Sequence, residues 1–268
     1  MLRELVDSVP LWGVLSATFV LIMVTIELGF RAGQYRRRNP GAEDGSQVSS
    51  LTGAHLALLA FMMGFSFNMA ANHHYTRKMI ILDETNAIGT AYLRAGLVDD
   101  AQGNQLKKLL ASYVAVRATI NDPDVSAATV IVESEALQDQ MWLLFDDSPG
   151  DEQISAAERI LLESLNEVFD LHQERVYAGM RTRIPVTIWL ALAVVTITAM
   201  TGMGYNFGVN DRRSPLATTV LALSFAVVIY LISDLDRPGV GYMQPDNSTI
   251  MELNDKLHET GGIDLLTD

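Results

Sequence analysis

The sequence predicts an all-α, polytopic membrane protein with four transmembrane helices and an extramembrane helical bundle inserted between helices 2 and 3. Three observations lead there. Four apolar stretches, Pro10 to Leu28, Leu51 to Ala71, Ile184 to Tyr205 and Pro215 to Ile232, reach or approach the length that crosses a hydrocarbon core of about 30 Å. The segment between the second and third is polar, and its apolar positions recur with helical period. Two turn sequences, Asn121-Asp122-Pro123-Asp124 and Asp146 to Gly150, cut that segment into separate helices. The chain divides accordingly into residues 1–75 (helices 1 and 2 with an Arg-rich connector), 76–183 (a four-helix region), 184–233 (helices 3 and 4) and 234–268 (an acidic tail with a short helix).

The first stretch is expected to stay in the mature protein. It is longer than a signal h-region, is preceded by the single base Arg3, and ends in Glu27 and Arg31 instead of a small-residue cleavage site. The connector Gly29 to Ser50 carries Arg31, Arg36, Arg37 and Arg38, then NPGAEDGS, and reads as loop or disorder; the GxxxG of Gly29 and Gly33 at its edge reads as chance. The second span then continues without a breaker, because Ile80, Ile81, Ala87, Ile88, Ala91, Tyr92 and Ala95 keep the period, so one rod is expected to leave the membrane. Three helices follow: one through Leu106, Leu110, Tyr113, Val114 and Arg117; one through Val130, Leu137, Met141 and Phe145; and one from near Glu152 through Leu161, Leu165, Val168, His172 and Val176 to Arg181 and Arg183. An antiparallel bundle is the expected packing. Pro185 suits the first turn of the third span and Pro215 opens the fourth. Beyond it, Thr249 with Glu252 suggests a capping box for a helix closed by Gly261 and Gly262.

Composition excludes several functions. There is no cysteine, hence no disulfide, thiolate metal site or cysteine nucleophile. The net charge is −13, and residues 73–183 hold 18 acids against 10 bases, which disfavours nucleic acid as a partner. HExxH, GxSxG and Walker sequences are absent, and Gly202, Gly204 and Gly208 follow no strand, so no dinucleotide loop is expected. Neither catalysis, cofactor nor metal site is predicted. His73 and His74 are adjacent and point to different faces, while His55 could titrate within the bilayer.

On the second span, Ala57, Phe61 and Phe65 fall four apart, and Asn68 and Asn72 continue that stripe. Ala60 and Gly64 form a small-xxx-small pair suited to close helix packing. The stripe fits a narrow passage with an amide mouth; by periodicity alone, ordinary packing or lipid contact fits as well. On the rod beyond, Glu84, Asn86 and Arg94 cannot pair with one another along one helix, so they are expected to bond between helices or subunits. Asp234, Asp236 and Arg237 mark the end of the fourth span and read as an anchor with a local salt bridge, outside any ion site.

FMMGF, Phe61 to Phe65, resembles the Phe-x-x-Gly-Phe neck of bestrophin anion channels. The longer phrase LLAFMMGFSFNMAANHHYTRKMIILDETNAIGTAYLRAGL, Leu58 to Leu97, with GYNFG at Gly204 and DLDRPGVG at Asp234, is similar to the signature of bacterial bestrophin-like domain membrane proteins. That resemblance implies a multi-pass protein of the bacterial inner membrane and a homo-oligomer, a pentamer in bestrophins, with a central anion pathway lined by helix 2. It makes Ala57, Phe61 and Phe65 the neck and small ions the cargo. The dense acidic clasp of calcium-gated bestrophins has no counterpart here beyond Asp234, Asp236 and Asp246, too few oxygens for calcium. The expected function is therefore an anion-conducting pore; a cation-conducting pore and a non-conducting scaffold that recruits a partner stand as alternatives. Sidedness stays open, since seven bases flank the spans on one side and six on the other.

Overall fold

The computed structural model describes residues 9–38, 45–122, 124–145, 155–211, 214–238 and 241–261. Among them are eight α-helices: α1 (Leu11–Arg37), α2 (Gly45–Arg94), α3 (Asp100–Ala118), α4 (Ala127–Leu143), α5 (Ala156–Met180), α6 (Val186–Val209), α7 (Pro215–Asp236) and α8 (Ser248–Gly261). Helices α1, α2, α6 and α7 are long and apolar enough to cross a membrane. The expected fold class is the observed one, all-helical among the described residues with four spanning candidates. The expectations for residues 39–44, Pro123, Asp146 to Gly150, Glu152 and Gly262 lie outside the described residues.

The chain forms two compact units, Met1–His74 with Arg183–Gln244, and Tyr75–Thr182 with Pro245–Asp268. Helix α2 contributes to both as one uninterrupted element of 50 residues, as its unbroken period predicts. In the first unit, Ile22 and Ile26 of α1, Leu59, Met63 and Ala70 of α2, Leu192, Ala199 and Met200 of α6, and Ala222, Ile229 and Ile232 of α7 build the core. Apolar burial between helices gains little over lipid, so close backbone approach decides which helices touch.

Glycine supplies that approach, and here the sequence reading is corrected. Gly29 and Gly33 are helical, in a connector expected to be loop, and their GxxxG is no accident: it meets Gly204 and Gly208 of α6. A Cβ on Gly29 would fall against the Thr201 carbonyl, one on Gly33 against that of Tyr205, one on Gly204 against that of Ile26, and one on Gly208 against that of Phe30. Arg37, also in that supposed loop, pairs with Asp211 at 2.6 Å. Asp211, two residues past the end of α6, is in the left-handed region, φ 51°, where a short polar side chain is tolerated.

In the second unit, Ile88 and Ala91 of α2, Leu106, Leu110, Tyr113 and Val114 of α3, Met141 of α4, Leu161, Leu165 and Val168 of α5, and Ile250 and Leu257 of α8 share one core. Side-chain caps start the helices. Asp99 Oδ1 accepts from Ala101 N, Ser126 Oγ from Thr129 N, and Ser155 and Glu158 form a reciprocal capping box at α5. The box expected at Thr249 is not made. The helix already begins at Ser248, whose N–H goes to Asp246, and the Thr249 hydroxyl is buried without a hydrogen-bond partner. Pro185 is the N-cap of α6, one residue before the first turn in which it was expected.

Candidate functional site

The side of α2 that carries Leu59, Met63, Ser66 and Ala70 is buried in the first unit. The other side is open. Phe61 is 69% and Phe65 51% exposed, and Ala57, Ala60, Gly64, Asn68 and Asn72 are exposed with them. Asn72 Nδ2 donates to Asn68 Oδ1 at 2.9 Å, so the two amides act as one polar step on the stripe. A Cβ placed on Gly64 would meet no atom within 4 Å. Any partner for the small pair Ala60 and Gly64 therefore comes from outside this part of the chain.

A second constellation lies inside the second unit and is centred on Glu84, which is fully buried. Arg117 grips it with two bonds, Nε to Oε1 at 3.0 Å and Nη2 to Oε2 at 3.2 Å. Arg175 Nη1 donates to Oε2 at 2.6 Å, and Tyr113 Oη donates to Oε1 at 2.9 Å. The phenol oxygen in turn meets His172 Nδ1 at 3.1 Å and Gln138 Nε2 at 3.4 Å, while Arg175 Nη2 reaches Asn247 Oδ1 at 2.9 Å. Side chains of α2, α3, α4, α5 and the segment before α8 thus form one network centred on this carboxylate. Burial alone would raise the Glu84 pKa, but the charges and hydrogen bonds of Arg117 and Arg175 hold it below the ordinary carboxylate value. Burial and the Glu84 charge push the Tyr113 phenol up, and burial together with Arg117 takes His172 down to about 4, so its ring is neutral at pH 7.

The expected polar residues thus separate by unit. Glu84 anchors the cluster just described. Arg94 donates to Ser164 Oγ at 2.5 Å and to the Ile160 carbonyl at 3.3 Å, tying α2 to α5. Asn86 stands apart in an open cleft of about 640 Å³ with Asp83, Thr90, Glu163, Glu167, Asp170 and Glu174. In the first unit, Asp236 accepts the Ile184 N–H at 2.7 Å, Asp234 accepts that of Tyr242 at 2.8 Å, and Arg237 donates to the Val9 carbonyl at 2.7 Å. These three staple the ends of α7 and α6 to neighbouring backbone. Sequence reasoning treated Tyr113, Arg117 and His172 as packing and gave Gln138, Arg175 and Asn247 no part in a polar cluster. An arginine and a histidine at core positions of amphipathic helices were the signal, since neither is buried without a partner.

Four spanning candidates and a polar helical unit define a multi-pass α-helical membrane protein. A family profile described as Bestrophin-like domain matches residues 11–244, and the chain belongs to that family. Membership supports a channel-type function in the membrane. A solved crystal structure, described as that of a membrane protein, is similar in fold, with a TM-score of 0.62, 12% identity, and coverage of 94% of this chain and 99% of that one. Comparison with curated proteins finds no match.

Proposed function

We propose that copies of this chain assemble as a ring, with α2 of each copy lining a central pathway for small anions and Phe61 and Phe65 forming its hydrophobic neck. The carrying observation is the open aromatic stripe on a helix whose opposite side is anchored in its own subunit. An apolar aromatic surface of this kind faces either acyl chains or other copies. Family membership favours the second, and a ring of five is the number the resemblance implies. Rings of phenylalanine gate by dewetting, and their edges carry partial positive charge that favours an anion at short range. Ala57 would form the smallest ring, with Asn68 and Asn72 giving amide donors at one mouth.

A specific observation favours a second reading, passage of cations. The cleft that takes in the α2 residues Asp83, Asn86 and Thr90 is acidic, and carboxylates along a pathway concentrate cations and repel anions. Reconstitution in liposomes under a salt gradient separates the two by the sign of the reversal potential. The conduction reading predicts flux that Phe61→Ala increases by widening the neck. Silence of both proteins for every small ion tested contradicts it and leaves the non-conducting scaffold.

A further inference from the structure

The cluster around Glu84 is not electrically closed. One carboxylate faces two guanidinium groups, an excess of one positive charge in the interior of the second unit. Both oxygens of Glu84 are already engaged, yet Arg117, 1% exposed, has its Nη1 buried without a hydrogen-bond partner. Two N–H groups there have no acceptor. Leaving a buried charged donor unsatisfied costs more than leaving a neutral one so.

A second unsatisfied group lies on the face of α4 that meets α3. Gln102 donates to the Leu144 carbonyl at 2.7 Å and Gln138 reaches Tyr113 at 3.4 Å, so α3 and α4 run antiparallel. Arg117 lies one turn beyond Tyr113 on α3 and Ser134 one turn before Gln138 on α4, each on the face of its helix that carries the Tyr113–Gln138 contact. Ser134 is fully buried, and its hydroxyl has no partner. Helical Thr85 and Thr196 return their hydroxyls to the carbonyl four residues back, and Ser134 does not. His172 Nε2 is also buried without a partner, but it is an acceptor: the single phenolic proton of Tyr113 goes to Glu84, so His172 Nδ1 carries the hydrogen.

We propose that a small monovalent anion, of halide size, binds inside the second unit between Arg117 Nη1 and Ser134 Oγ. It would supply the acceptor both groups lack and cancel the surplus charge. A water could accept from Arg117 and donate to His172 Nε2, but it would leave that charge uncompensated. The site is distinct from the α2 stripe of the first unit, so either proposal can fail while the other stands.

The test uses the purified full chain in detergent. At constant ionic strength, exchanging gluconate for bromide or chloride should raise Tm saturably, by about 3 °C once the site is mostly filled. Ser134→Ala should require about tenfold more halide for the same rise, and Ser134→Asp, which brings its own negative charge to Arg117, should show none. Crystals soaked in bromide should give an anomalous peak within hydrogen-bonding reach of Arg117 Nη1. That reading stays available if a variant fails to fold. Equal Tm in gluconate and bromide, an undiminished halide effect in Ser134→Asp, or density at Arg117 that is water alone would overturn the site.

Discussion

Glu84 shows how one side chain organises the polar interior. A carboxylate taken from water without partners would neutralise itself, whereas here two guanidinium groups and a phenol saturate its oxygens. Glu84→Gln leaves Arg117 and Arg175 buried and uncompensated, so we expect a loss of about 3–5 kcal/mol, read as a lower midpoint of thermal or denaturant unfolding. His172 gives a pH dependence of definite sign. Its folded pKa of about 4 lies below the unfolded 6.5, so the unfolded chain binds the extra proton and stability falls as pH drops from about 6.5 to 4. The shift corresponds to about 3 kcal/mol. Glu84, also depressed, adds to the loss below its ordinary value of 4.5. Relative to His172→Asn, which keeps a donor to Tyr113, wild type should lose stability progressively as pH falls from about 6.5 to 4; parallel curves would contradict this origin. The sequence did not disclose the cluster because its members are spread over α2, α3, α4, α5 and the segment before α8. Beyond Glu84, for which bonds between helices or subunits are expected, only the misplaced polarity of Arg117 and His172 on apolar faces hinted at it.

At the scale of elements, periodicity and length carried most of the prediction. The four spans and the uninterrupted α2 follow from counting apolar residues, since a helix must satisfy its own backbone in lipid. Where the prediction failed, at Gly29 to Arg37, local polarity was set against a contact with α6 far along the chain. A run of arginines looks like loop, yet it extends α1 because Gly29 and Gly33 dock on Gly204 and Gly208. Gly29→Ala and Gly204→Ala should each drive a methyl into a backbone carbonyl and cost about 1–3 kcal/mol, lowering Tm, while Gly53→Ala, with open space around it, should be neutral. The Ser155 capping box at α5 went unread although its residues were in plain sight, because the start was sought at Glu152. Ser155→Ala should cost about 1 kcal/mol in the same assay.

At the scale of the whole molecule, the chain combines a unit with spanning helices and a polar unit, with α2 running through both. Family membership was legible in the sequence because its phrases fall on elements that constrain residue choice: the open face of α2, the Gly204 contact and the stapled end of α7. The assembly is not written in a single copy, since the face of α2 that would meet the axis is complete without touching anything else. The absence of cysteine permits a direct test of that face. A lone cysteine at Phe65 in the full chain, oxidised in native membranes, should link copies of the protein into a dimer band. The same substitution at Leu59, buried in its own subunit, should give none. If Phe65→Cys stays monomeric under oxidation while lipid-soluble maleimides modify it readily, the stripe faces acyl chains and the shared pathway does not exist.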